Sequence, residues 1–463
     1  MRNTGSPQWG PLQSLRFRLH LALTGSRRYY DVHAHNRFRR HRVNEYELLL
    51  LTNVRIFDGQ SIFGTGAVLI EDGKIKQISS DPSLSIPDIP TISKPGHTLL
   101  PGLIDCHVHC DSANPTALPQ SLRFGVTTVC DMHNEYPNIV TLRKQIAEQG
   151  DCADLKTTSF AATVEMGWPM PVVLAHSTNP HVKEELALWP KLEKPEDAKG
   201  YLANRMEEGV DYIKLMHESG GLMGGGFNMP SIELQKALIA EAHANGLIAV
   251  AHALTKKDTL EILEAGVDGL THQFCDQPID QSVIDAYRKN SAHLNPTLAA
   301  LGSLTTEGKD TQEKFAHDPR VQHLLPEEAR HRVCACMAMA KEGGASVEYA
   351  YEAVRQLKAA GVDIVIGSDA AGPAVGTAWG LSVHHELYLF VKHCGFSPAE
   401  ALRAATYLNA KRFNFPDRGQ IKEGLRADLL LVEGNPLEDI DDALNLRGVW
   451  KEGVLCSTYA GLA

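Results

Sequence analysis

Apolar and polar positions divide the chain into three textures. Leu48 to Phe57 is a near-continuous apolar run that stops at Asp58-Gly59, the pattern of a strand entering a turn. Ala67–Glu71 and Lys74–Ile78 flank Asp72-Gly73, a hairpin signature. Near the other end, Ala427–Glu433 and Val449–Leu455 also read as strands, the second broken at Lys451-Glu452-Gly453. Between these β-rich ends, short apolar runs alternate with amphipathic stretches. Eight runs read as strands: Leu103–His109, Thr127–His133, Thr157–Thr163, Tyr212–Met216, Ile248–His252, Gly269–His272, His293–Leu298 and Asp363–Asp369. Helical periodicity falls between most of them, as in Ile139–Gln149, Ser231–Asn245, Lys256–Ala265, Asp280–Asn290 and Glu348–Ala360. A strand–helix rhythm of this kind predicts a (β/α)8 barrel, and continuous apolar strands suit a parallel sheet buried on both faces. An open doubly wound sheet would carry a glycine-rich turn after its first strand. Here that strand ends in His-Val-His, and Gly220-Gly221 and Gly224-Gly225-Gly226 follow the fourth strand with neither phosphate-binding spacing. The expected class is α/β: a TIM-like (β/α)8 barrel over 97–408 and a small β-sandwich composed of 46–96 and 409–456, preceded by an Arg-rich extension over 1–45.

Composition narrows the functions this frame can serve. The 463 residues carry 45 Lys+Arg against 56 Asp+Glu, a net charge of −11, which speaks against a general nucleic-acid binder. No run approaches the ~20 apolar residues of a membrane span. The charge is uneven: residues 1–44 hold nine Arg, no Lys and one acid, Asp31. An Arg-rich, acid-poor start has the composition of a mitochondrial transit peptide, and equally of an extension with no structural role. Otherwise the cytoplasm is the expected compartment, where the nine cysteines are free thiols. The expected partner is a small-molecule substrate, with no nucleic acid and no membrane; a homo-oligomer is compatible with the sequence.

The polar residues at the strand ends carry the chemistry. Barrel enzymes place reactive groups at the C-terminal ends of their strands. The first strand ends Asp105-Cys106-His107-Val108-His109. Strand alternation turns His107 and His109 to one side and Cys106, Val108 and Cys110 to the other, toward the helices. Two such imidazoles can share one metal ion or grip a pair. Lys214 lies on the fourth strand, His252 ends the fifth, His272 the sixth and Asp369 the eighth. Singly, each has an ordinary explanation: a hydrogen-bonded histidine, a surface lysine, a helix cap. Together, four His, one Lys and one Asp meeting at one barrel mouth indicate a metal site. His217 and His133, just past the fourth and second strands, are candidate substrate contacts. A second D-x-H-x-H, Asp31 to His35, lies in the Arg-rich segment with no apolar strand before it, and is expected to be a decoy.

These pieces resemble the metal-dependent amidohydrolase superfamily: Leu100 to His109, Tyr212 to Met216, Val250-Ala-His252, Gly269 to His272, Gly367-Ser-Asp369, and the tail Gly419 to Pro436. The subgroup most similar is the imidazolonepropionase-like and Xaa-Pro dipeptidase-like one, which takes in ochratoxinase-type amidases. The resemblance implies two divalent ions, usually zinc. His107, His109 and Asp369 would hold the more buried ion, and His252 and His272 the other. Lys214, carboxylated by CO2, would bridge them. An ammonium has no lone pair and repels cations, whereas a carbamate offers two anionic oxygens. The implied reaction is hydrolysis of an amide-type C–N bond by a metal-bridging hydroxide, with Asp369 passing its proton to the leaving nitrogen. A lactonase or decarboxylase on the same fold uses the same ligands; a non-catalytic assembly protein would typically have lost them. Where dipeptidase members carry a Gly-His-Gly-like run after the third strand, this chain has Val164-Glu-Met-Gly-Trp-Pro-Met170, and Met166 and Trp168 suit a bulkier apolar substrate.

Overall fold

The computed structural model describes residues 48–462, apart from 178, 179 and 373. The decoy motif and the Arg-rich extension lie outside the described residues. One mixed sheet draws on both halves of the chain. From one edge its strands run Val454–Leu455, Leu446–Lys451, Leu429–Glu433, His97–Pro101, Leu48–Phe57, Ile62–Glu71 and Lys74–Ser79, and Thr91–Ser93 also pairs with Leu48–Phe57. The central join is antiparallel, with Leu431 opposite Leu99 and Leu429 opposite Pro101. Alternation sends Leu49, Leu51, Leu99, Leu429, Leu431 and Trp450 into one buried cluster, while Leu50, Ala67 and Leu69 pack on the other face against Leu84, Ile86 and Ile89. The turn at Asp72-Gly73 has both residues at positive φ (50° and 74°), as a two-residue hairpin requires, and Glu452-Gly453 repeats the device at 49° and 74°.

The β/α region forms two parallel arcs. The first runs Ala370–Ala371, Leu103–His109, Val126–Asp131, Asp154–Thr157; the second runs His293–Asn295, Gly269–Thr271, Ala249–His252, Ile213–Met216. Isolated parallel bridges also pair Ala162 with Leu215 and Leu294 with Ile364, one at each end of the second arc. Helices intervene, among them Tyr136–Glu148, Ile232–Ala244, Lys256–Glu264, Gln281–Asn290 and Val347–Ala359. They start where the sequence supplies caps: Ser231 Oγ accepts from Leu234 N, and Thr255 and Asp280 act likewise.

Three expected strands depart from their apolar runs, for local reasons. The third, expected over Thr157–Thr163, lies instead at Asp154–Thr157, and of the expected run beyond it only Ala162 makes a bridge; Ser159 takes positive φ (57°), and Thr158 Oγ1 accepts Lys214 N at 2.8 Å where a carbonyl would otherwise serve. The seventh stops at Asn295 because Pro296 has no N–H and Thr297 turns to φ 48° before the helix Leu298–Thr305. Along 363–369 backbone bonds reach both neighbours, Val365 N to Leu294 O and Asp369 N to His107 O at 2.8 Å each, but side chains interrupt the ladder: Asn409 accepts from Ile366 N and donates to Ile366 O, and Asp105 accepts from Ser368 N. One expected direction is also reversed. Cys106 joins a buried cluster with Cys130, Tyr212, Val250 and Val365, from neighbouring and opposite strands, because the pairing with Val126–Asp131 is irregular between Asp105 and Val108. Among the described residues no helix is long and apolar enough to cross a membrane.

Candidate metal centre

Strand ends bring most of the candidate ligands together. His107 Nε2 and His109 Nε2 lie 3.2 and 3.3 Å from Asp369 Oδ1, and 3.3 Å from each other. The imidazole of His272 stacks at a tilt on His107, with centroids 4.9 Å apart, and its Nδ1 is 3.8 Å from Asp369 Oδ2. His252 stands edge-on to His272 at 4.9 Å. Lys214 is buried below them, and its Nζ donates to Thr271 Oγ1. The backbone is shaped to match. Asp369 has φ 54°, and at Gly367 a Cβ would sit 2.7 Å from His107 N and 2.4 Å from Asn295 Nδ2, so only glycine lets the eighth segment lie this close to the first strand.

Electrostatics suits cation binding. Burial pulls His107, His252 and His272 well below the usual imidazole range, leaving them neutral with lone pairs available. Burial opposes ionisation of Asp369, but the hydrogen bond and positive charge of His109 outweigh it and hold the carboxyl far below its ordinary value. Burial likewise opposes protonation of His109, but Asp369 carries that imidazole up to about 9. Lys214 has no carboxylate within ion-pair distance among the described residues; burial lowers its amine to about 7, against the pull of Asp369. Three donor atoms mutually 3.2–3.3 Å apart match the edge, about 3.3 Å, of a tetrahedron with bonds of ~2.0–2.1 Å. His107, His109 and Asp369 therefore fit an ion of zinc's size.

Neighbours that the sequence did not single out orient the other two imidazoles. Glu218 Oε2 is 3.0 Å from His252 Nε2, which leaves Nδ1 for a ligand role, and Gly220 N holds the other carboxylate oxygen at 2.6 Å. Thr297 Oγ1 is 2.6 Å from His272 Nδ1, leaving Nε2. The signal for Glu218 was its isolation as the sole carboxylate in the glycine-rich stretch 217–230. Thr297 gave no sign beyond following Pro296. Trp168 stacks on His252 (5.0 Å, 25°) and meets Phe227 at 5.8 Å, forming an aromatic wall.

The two candidate substrate contacts are placed differently. His133 is buried beside Trp189, with centroids 4.2 Å apart; its Nδ1 accepts Ala161 N at 3.1 Å, and its Nε2 has no partner. His217 is drawn to another group, with Nε2 3.3 Å from Glu261 and Asp258 nearby, rather than to Asp369 and the imidazoles around it.

The Amidohydrolase family matches residues 98–456, and the chain belongs to that family of hydrolases. It is 30% identical to the ochratoxinase of Aspergillus niger over 207 residues, 40% of this chain and 42% of that protein. It is 34% identical to the imidazolonepropionase of Deinococcus deserti over 102 residues, 21% of this chain and 25% of that protein. The chain thus matches less than half the length of these curated relatives. Among solved structures, a Xaa-Pro dipeptidase with bound methionine in the active site superposes with a TM-score of 0.70 at 22% identity, over 88% of this chain and 99% of that one. The shared fold is a TIM barrel with an additional domain.

Proposed function

We propose that this chain hydrolyses an amide-type C–N bond in a small-molecule substrate, using two divalent ions, zinc by preference, held in the mouth of a closed eight-stranded barrel. The bridges Ala162–Leu215 and Leu294–Ile364 support closure, and the sheet shared by both chain ends supports a second domain of β-sandwich type. The observation that carries the reading is the convergence of His107, His109, Asp369 and His272 around a common point, with Lys214 and His252 at its edge. In this reading His107, His109 and Asp369 would hold one ion and His252 and His272 the other, and Lys214, as a carbamate, would offer its anionic oxygens to them.

Bound there, the ions supply Lewis acidity, making water nucleophilic near neutral pH and polarising the scissile carbonyl. The chain supplies the rest. An amine lowered to about 7 is largely neutral at physiological pH, the form that attacks CO2, so burial of Lys214 favours its carboxylation. Asp369 faces the reacting atoms and transfers the proton of the attacking water to the leaving nitrogen. Glu218 and Thr297 fix the rings of His252 and His272. The Nε2–H of His133 is an unspent donor for a substrate carbonyl or carboxylate. The wall of Trp168 and Phe227 favours an apolar or aromatic substituent beside the amide.

The test is purified full-length chain assayed over N-acyl amino acids, dipeptides, cyclic amides and lactones, before and after chelation. Turnover of an amide that vanishes with the ions and returns with added zinc supports the reading. Undiminished turnover after the ions are removed refutes it.

A further inference from the structure

His217 stands next to a second group of ligating atoms. It follows the strand Ile213–Met216, and it meets the helix Lys256–Glu264 where Asp258 and Glu261 project from one face, three residues apart. One donor atom from each of the three residues lies within 4.8 Å of the others, and His217 Nε2 is 3.3 Å from Glu261 Oε2. We propose that His217, Asp258 and Glu261 form a further divalent-cation site, separate from the centre around Asp369.

Unsatisfied burial is the main argument. His217 and Asp258 are 1% and 0% exposed, yet His217 Nδ1 and Asp258 Oδ1 have no partner. Asp258 spends its other oxygen on Ser219, accepting from its N at 3.2 Å and its Oγ at 2.6 Å. Each buried orphan of this kind carries a desolvation cost that no partner offsets. A positive charge is also in short supply: Lys257 reaches only Glu261 Oε1, from the solvent side. A divalent ion would supply that charge and give the buried Asp258 oxygen a partner, with one imidazole nitrogen of His217 and a Glu261 oxygen completing the donor set.

The donor set selects the ion. One imidazole nitrogen with two carboxylate oxygens suits zinc or a similar borderline metal, whereas magnesium and calcium prefer oxygen alone. Glu261, 35% exposed, gives the ion a way in and leaves room for water to complete its shell. Occupied, the site ties the loop that follows Lys214 to the helix that follows His252. It is thus a clip between the loops of two ligand-bearing strands, with no part in bond cleavage.

The test uses crystals of the full chain grown with zinc and measured on both sides of the zinc absorption edge. An anomalous peak bounded by His217, Asp258 and Glu261 is expected. In solution, Glu261→Gln should retain one zinc per chain fewer than the unaltered protein after dialysis against micromolar free zinc; His217→Gln repeats the comparison if that variant does not fold. No peak in crystals of the unaltered chain overturns the proposal. So does a peak accompanied by equal solution counts, which marks an adventitious ion only. A peak here with none near Asp369 would uphold this site and refute the hydrolytic reading, so the two fail separately.

Discussion

Replacing Lys214 by Met should make the metal-free protein more stable while destroying its activity. Methionine keeps the length and apolar stem of the side chain and removes the amine. In the chain as it stands, burial lowers that amine from 10.5 to about 7. At about 1.4 kcal/mol per unit, the cost of holding it in the fold reaches roughly 5 kcal/mol as an upper bound. Losing the hydrogen bond to Thr271 returns about 1 kcal/mol, so a net gain of about 2–4 kcal/mol is expected near neutral pH. The pH dependence has a definite sign. Above pH 10.5 the amine is neutral in both folded and unfolded chains, and the penalty is absent. As pH falls toward 7 the unfolded chain takes up a proton that the folded one refuses, and the penalty grows. Below about 7 both are protonated and it stays constant. Urea unfolding of chelator-stripped protein from pH 6 to 10 measures this directly. The advantage of Lys214→Met should be greatest at pH 6–7 and fade toward pH 10. A variant less stable than its parent, or an advantage independent of pH, would refute the account of Lys214 as an unpaired buried amine.

Asp369→Asn keeps shape and one lone-pair oxygen but cannot take a proton; it should fold, retain metal and lose about 10²–10⁴ in kcat, with the acidic limb of the pH–rate profile displaced. Near-normal kcat would move the proton transfer to another group. Gly367→Ala places a methyl against His107 N and Asn295, so thermal unfolding should show a loss of about 1–3 kcal/mol and elemental analysis a reduced metal content. Glu218→Gln should weaken metal retention about 10–100-fold in chelator competition, with the fold intact by circular dichroism.

The residues that bear charge or lone pairs at strand ends were legible because chemistry of that kind stands out against an apolar run. Leu103–His109 was readable to its exact limits, being uninterrupted and closed by His-Val-His. What the pattern could not show is where side chains take over from backbone. Asn409 substitutes for a strand partner of Ile366 from 43 positions away, and Thr158 does so for Lys214 from 56. Nothing in local periodicity announces either. The reversed direction of Cys106 has the same origin, since strict alternation assumes a regular ladder and the pairing there slips. Glu218 and Thr297 show no role in the sequence because that role exists only once distant loops meet. His217 was placed at the mouth by proximity to Lys214, but the chain turns it toward Asp258 and Glu261.

The antiparallel join between His97–Pro101 and Leu429–Glu433 has a consequence for biosynthesis. Until Leu429–Glu433 emerges from the ribosome, the strand leading directly into Leu103–His109 has no neighbour on that side. The whole catalytic region is therefore translated while a hydrophobic sheet edge, Thr98-Leu99-Leu100, stays open to other nascent chains. Synthesis that stalls or ends early leaves a sticky half-sheet rather than a smaller working enzyme, so yield in a cell is governed by chaperone capacity and elongation rate as much as by the stability of the finished molecule.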